Sequence, residues 1–250
     1  VDEAGRIFAA LAASTSIEEV KRAAADGRIL AQRSRSTRER VWHALHHRYL
    51  SHHVKWVIND LITSGASARE EPEFLSVLHL HYALRDHLTY DFATGFIYNQ
   101  FDAGRTAVSR EDLLNFMDAA DDQPQIRTWT QQSRVKLAGS ILSALRDFGA
   151  LTGSQHKRIT RPPLPLRTAE HILRLLRAEG VPDAEILENS TWRLFMLNEA
   201  EVAEVLRKIP IERRLRLEVS GRTVHLQVPT DWHDDSQLVS GRIDSKGGNT

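Results

Sequence analysis

Five histidines crowd the stretch from His43 to His53, and His43 and His47 stand four residues apart. That is the spacing at which two imidazoles on one helix face can chelate a metal. The adjacent pairs His46-His47 and His52-His53 point in different directions, however. No carboxylate nearby completes the roughly three or four converging ligands that a biological site needs, so no metal is expected. Asp86, His87, Tyr90 and Asp91 carry groups suited to acid–base chemistry. The same residues suit a helix end with ordinary caps, which is the plainer account. The chain has no phosphate-cradling glycine loop, nucleophile elbow or dinucleotide fingerprint. It also has no cysteine, which excludes thiol catalysis, Cys-ligated zinc, iron–sulfur clusters and a disulfide scaffold. The expectation is a protein without catalytic residues and without a cofactor.

Phosphate binding is the chemistry that the residues offer best. In Arg33-Ser34-Arg35-Ser36-Thr37-Arg38-Glu39-Arg40, the four arginines Arg33, Arg35, Arg38 and Arg40 alternate with hydroxyls where a helix begins. Such a segment can grip phosphates with guanidinium groups and helix N-terminal amides, or remain a loop of solvated arginines. The second candidate runs from Ser109 to Arg161: helix, Asp/Pro turn, helix, then the basic turn Gly153-Ser154-Gln155-His156-Lys157-Arg158. Winged helix-turn-helix domains have this order, with the second helix in the major groove and a basic wing beside it. With Ile141 marking the buried face at about 100° per residue, Gln132, Lys136, Gly139 and Ser143 fall near the opposite one. Nothing bulky on that stripe blocks a phosphate backbone. Lys136, Lys157 and Arg158 are the expected phosphate contacts, with Gln132 and Arg134 nearby. Arg134 falls near the buried face and needs an unwound first turn to point outward.

Helical periodicity supplies the framework for these groups. Ile7, Phe8 and Leu11 make a short stripe, and Ser16-Ile17-Glu18-Glu19 reads as a capping box. Ser36-Thr37-Arg38-Glu39 repeats that signature and opens a longer run, which Ser64-Gly65 is expected to stop. Phe74 to Leu84 has almost no polar face and belongs at the centre of a domain, with His79 and His81 as hydrogen-bonded core residues. Further helices are expected over 92–101, from Ser109-Arg110-Glu111-Asp112 onward, after a cap at Thr128 or Thr130, and at 169–179, 183–188 and 199–208. Only the end reads as sheet. Arg214–Val219 and Thr223–Val228 alternate around Ser220-Gly221, a β-hairpin pattern. The predicted fold is mainly α: a multi-helical chain with a helix-turn-helix-like, winged unit and a C-terminal β-hairpin, and no large sheet. Residues 1–105 are expected to form an N-terminal helical domain, 106–230 a C-terminal one, and 231–250 a flexible tail.

Composition limits the partners. The chain has 250 residues with Lys plus Arg equal to Asp plus Glu at 33 each, so a uniformly basic coat is excluded. The charges are nonetheless segregated. Residues 20–60 carry nine basic and three acidic groups, 69–124 four and eleven, 125–180 ten and three, and 181–206 one and six. Such blocks pair within one molecule, or present a bipolar surface to a polyanion on one side and a protein on the other. The longest stretches free of Asp, Glu, Lys and Arg, Ile7 to Ile17 and Phe74 to Leu84, have eleven residues each, too short for a membrane span. The opening, with Asp2, Glu3 and Arg6, is not a secretory leader by pattern, and a cytoplasmic location is expected.

Taken in order, these features resemble the BrxA family, the small helical component of bacterial BREX phage-defence systems. The resemblance rests on Arg33-Ser34-Arg35-Ser36-Thr37, Arg85-Asp86-His87-Leu88 with Tyr90-Asp91-Phe92, and Leu145-Arg146-Asp147-Phe148-Gly149 with Lys157. Pro162-Pro163-Leu164-Pro165 and Trp192-Arg193-Leu194-Phe195 extend it over about residues 7–208. It implies a non-enzymatic, mostly helical, DNA-binding accessory protein that serves chemistry done by other BREX proteins. Its implied partners are double-stranded DNA and those proteins; a second copy of the chain is a candidate partner only for the bipolar charge surface. No catalytic motif comes with the resemblance, and it says nothing of residues 210–250. A protein–protein scaffold and an RNA-binding helical domain stay open beside the DNA-binding reading.

Overall fold

The computed structural model describes residues 1–14, 16–51, 54–66, 71–119, 129–209, 216–220 and 223–228. The expected Asp121–Pro124 turn, the Thr128 cap and the 231–250 tail lie outside them. Helices α1 (Asp2–Ala13), α2 (Ile17–Ala25), α3 (Arg35–Leu45) and α4 (Lys55–Ala66) precede α5 (Pro72–Leu84). Ser16 caps α2 as expected, accepting from Glu19 N. The α3 cap is Ser34 rather than Ser36, accepting from Thr37 N. The long run foreseen after it is broken, because α3 loosens into a π turn over His46–Leu50 before α4 begins.

Gly65 does not stop α4, which continues to Ala66. It is buried, and a Cβ there would stand 2.5 Å from Phe8 Cβ and 3.0 Å from Phe74 Cε2. Missing side-chain volume lets α1, α4 and α5 close on each other, with Phe8 and Phe74 meeting edge to face at 5.8 Å. Gly65→Ala is therefore expected to destabilise the protein by about 1–3 kcal/mol despite alanine's better helix propensity. Urea melts compared with wild type check this, and an unchanged midpoint would mean that the helices part freely.

α5 is apolar nearly all round, and the reason shows in the packing: it feeds two cores. Phe74, Val77, Leu78 and Tyr82 join α1–α4 in one cluster. Leu80 and Ala83 join a second, with Leu88, Phe92, Ile141, Leu145, Ile172, Trp192 and Phe195 among its members. The second cluster begins with α6 (His87–Asp91), which passes through a π turn (Phe92–Ile97) into α7 (Tyr98–Asp102). β1 (Ala107–Val108), α8 (Arg110–Ala119), α9 (Gln131–Asp147), β2 (Leu151–Thr152), β3 (Lys157–Ile159) and α10 (Leu166–Ala178) come next along the chain. α11 (Asp183–Ile186), a 3-10 turn (Ser190–Phe195) and α12 (Glu199–Arg207) complete the helices among the described residues.

The expected hairpin is present as β4 (Arg216–Ser220) and β5 (Thr223–Gln227), paired antiparallel. Asp183 fastens it to the body: one carboxylate oxygen accepts from Leu226 N at 3.0 Å, the other pairs with Arg177. Sheet is not confined to this end, however. β1, β3 and β2 form a second, three-stranded antiparallel sheet in that order. Its strands are two or three residues long, too short to show alternation in a sequence.

Candidate nucleic-acid interface

α9 starts where Thr130 Oγ1 accepts from Ser133 N, and it ends before Gly149. Its buried face is Ala138, Ile141, Leu142 and Leu145, packed beside Leu113 and Met117 of α8. Gln132, Lys136 and Ser140 are exposed on the far side, and Gly139 and Ser143 are half-buried. A Cβ built on Gly139 meets nothing within 4 Å. Arg134 behaves differently. The first turn of α9 is regular, and Arg134 lies against α8 with its side chain 16% exposed. It pairs with Asp118 at 2.7 Å and donates to the Met117 carbonyl at 3.4 Å. This arginine fastens α9 to α8, so the outward turn it was expected to make is not taken.

The small sheet carries the basic turn. Gly153 has φ +84° and a Cβ there would run into the His156 carbonyl, so the turn requires glycine. Val108, Leu151 and Ile159 point into the core. Arg158 stands opposite Ala107 on one side and Thr152 on the other, and all three are exposed. Small neighbours on both flanks leave its guanidinium unobstructed. Lys157 is half-buried and donates from Nζ to the Ser154 carbonyl at 2.8 Å, so it must leave the turn to reach a phosphate.

β1 brings two cations that the sequence reading passed over, Arg105 and Arg110, both exposed and flanking Ala107–Val108. The only local signal was Thr106-Ala107-Val108 set between Gly104 and Ser109. Among the described residues, Arg105, Arg110, Lys136 and Arg158 have no ion-pair partner. Free exposed cations are what a polyanion needs, since each can exchange counterions for a phosphate.

The N-terminal arginines divide by role. Arg33 and Arg40 are exposed, and Arg40 donates to Thr37 Oγ1 at 3.3 Å. Arg35 pairs with Glu39 at 2.9 Å, and that hydrogen bond raises its pKa from the ordinary value. Arg38 is a structural clamp: Nε donates to the Ala25 carbonyl at 2.8 Å, and Nη1 to Gln32 and Arg33 carbonyls at 2.8 and 3.0 Å. It holds the 25–33 loop closed and is half-buried.

Histidines and carboxylates are spoken for in other ways. His43 and His47 are exposed, His46 tilts against Trp42, and His52 and His53 lie outside the described residues. Among the described residues no three His, Asp or Glu groups converge as a metal would need. Asp86 caps α6, accepting from Thr89 N and Oγ1, while the Tyr90 hydroxyl meets Ser190 at 2.7 Å. Among the described residues no helix is long and apolar enough to cross a membrane.

Among curated proteins none matches this chain. Among solved structures, an uncharacterized protein from Magnetospirillum magneticum is similar in fold, with a TM-score of 0.56 and 16% identity over 78% of this chain and 92% of that one. The family model named BrxA matches residues 1–175 of the 250. With more than half of its length so matched, and with the helical framework just described, the chain belongs to the BrxA family.

Proposed function

We propose that this protein is a non-enzymatic, DNA-binding accessory of BREX phage defence, which grips duplex DNA mainly through phosphates. Membership of the BrxA family supports the defence role and a setting among other BREX proteins. One observation carries the DNA reading. Among the described residues the order helix, β1, α8, α9, β2, β3, with the sheet arranged β1-β3-β2, supports a winged helix-turn-helix reading. On it the face of α9 away from the core bears Gln132 and Lys136, and the wing strand bears Arg158. α9 enters the major groove and the β2–β3 turn lies along the adjoining backbone. Arg105 and Arg110 add charge beside the wing, and Arg33 and Arg40 are the available part of a second grip. Phosphate contacts position the protein and carry little sequence information, so binding is tolerant of sequence.

The test is the triple variant Lys136→Ala, Lys157→Ala, Arg158→Ala, with unchanged folding confirmed first. Each lost phosphate contact makes log affinity less steep against log salt by about 0.9, so the triple variant loses up to about 2.7 of the slope. The loss should be equal on unrelated duplexes. Wild-type affinity and slope in this variant would dismiss the interface. Loss on Arg33→Ala with Arg40→Ala alone would move it to the N-terminal segment. Tighter binding to duplex RNA than to DNA would favour the RNA reading.

A further inference from the structure

We propose that Asp60, His171 and His81 form a one-proton clasp, which holds α4, α10 and α5 together and opens when its two imidazoles carry two extra protons. Asp60 on α4 lies 2.7 Å from His171 Nδ1 on α10, and His171 Nε2 lies 2.8 Å from His81 Nε2 on α5. The imidazoles are buried, His171 at 3% and His81 at 0% exposure. A second buried contact, Ser76 to Thr168 at 2.7 Å, lies along the same α5–α10 seam. The seam is therefore polar where most other buried residues of both helices are apolar. It also joins the two cores, since most of α10's buried face belongs to one and Phe74, Val77 and Leu78 of α5 to the other.

Proton counting gives the device. His171 Nδ1–H donates to the Asp60 carboxylate, so in a neutral ring its Nε2 accepts. His81 must then donate from Nε2–H. One extra proton is accommodated: His171 becomes an imidazolium donating to both neighbours, and the proton of His81 moves to Nδ1. A second extra proton sets N–H against N–H, with two positive rings 5.1 Å apart and one carboxylate between them and water. The hydrogen bond cannot survive that. Asp60, at 43% exposure, is the route by which protons arrive. It lines a cleft with Glu73 of α5 and Arg167, Glu170 and Arg174 of α10. Arg174 lies over the Trp56 ring, which itself meets His171 at 5.0 Å. His79, on α5 as well, faces Phe148 and Phe195 and takes no part.

The experiment is nitrogen NMR of the histidine rings in the full chain, titrated from about pH 8 to about pH 4, with amide exchange of α10 followed alongside. At high pH His171 should carry its proton on Nδ1 and His81 on Nε2. The first proton should be taken up by both rings together with α10 still protected, and the second should coincide with loss of that protection. The opposite tautomers at high pH, or two rings titrating independently with α10 protected throughout, would overturn the proposal. Asp60→Asn keeps an acceptor but removes the charge, and should move opening up by about one pH unit or more. An unmoved midpoint in that variant also overturns it. Thr168→Val should instead weaken α10 protection equally at every pH. A pH-dependent effect there would show that the seam, not the histidine pair, responds to acid.

Discussion

Between pH 7 and pH 4 the protein should lose about 3 kcal/mol of stability through a single side chain, His79. The ring is wholly buried in α5, stacked on Phe148 at 5.4 Å and meeting Phe195 edge-on at 5.5 Å. The expectation that it would be hydrogen-bonded fails, because neither ring nitrogen has a partner among the described residues. Burial without a counter-charge or an acceptor penalises the imidazolium, and the pKa falls from 6.5 to about 4. The direction follows from which state binds the proton. Below pH 6.5 the unfolded chain takes it up while the folded one stays neutral until about pH 4. The contribution is thus complete above pH 6.5, drains away as pH falls, and levels off once the folded ring also protonates. His79→Phe should remove this dependence. It should also raise stability at pH 7 by about 1–3 kcal/mol, since two unpaired ring nitrogens are no longer buried. Urea unfolding at several pH values measures both effects. Parallel pH profiles for the two proteins would show that the ring is not held neutral between these aromatics.

His79 also marks where the sequence ceases to be readable. The apolar run from Phe74 to Leu84 announces a central helix, because each turn of it meets a core. What each histidine in it does depends on residues far away. His81 finds His171 ninety positions later, and no local spacing encodes that distance. The buried face of α9 was legible for the opposite reason: Ala138, Ile141, Leu142 and Leu145 repeat at the helix period, and Thr130 is a strong cap. Ser34 displaced Ser36 because only tertiary structure decides which of two equivalent hydroxyls precedes the first turn. Arg38 looked like a free phosphate ligand because the three carbonyls that it clamps come from outside its own helix. Arg134, already placed near the buried face, gave no sign of its Asp118 partner on α8. Arg105 and Arg110 were overlooked because a two-residue strand leaves no pattern.

Gly139→Glu should lower affinity for duplex DNA at least tenfold while leaving the protein as stable as wild type or more so. Gly139 lies in the interior of α9, where glycine costs about 0.8–1.0 kcal/mol relative to alanine, and glutamate is nearly as good a helix former as alanine. Packing does not explain the glycine, because a Cβ at this site meets open space. Gly65 supplies the contrast, with Phe8 and Phe74 already in the way. If α9 lies in the groove, the space above Gly139 is filled by nucleic acid. A side chain there would push the helix away, and a carboxylate three residues from Lys136 would also repel phosphates. Gly139→Ala separates the two causes. It should stabilise the protein by about 0.8–1.0 kcal/mol and weaken binding only through its methyl group, at all salt concentrations alike. Gly139→Glu should weaken binding most at low salt, where charge repulsion is least screened. Thermal melts and duplex titrations on the same three proteins give both quantities. Binding equal in all three would mean that DNA does not approach this face of α9, and the wing would then have to hold the duplex from another side.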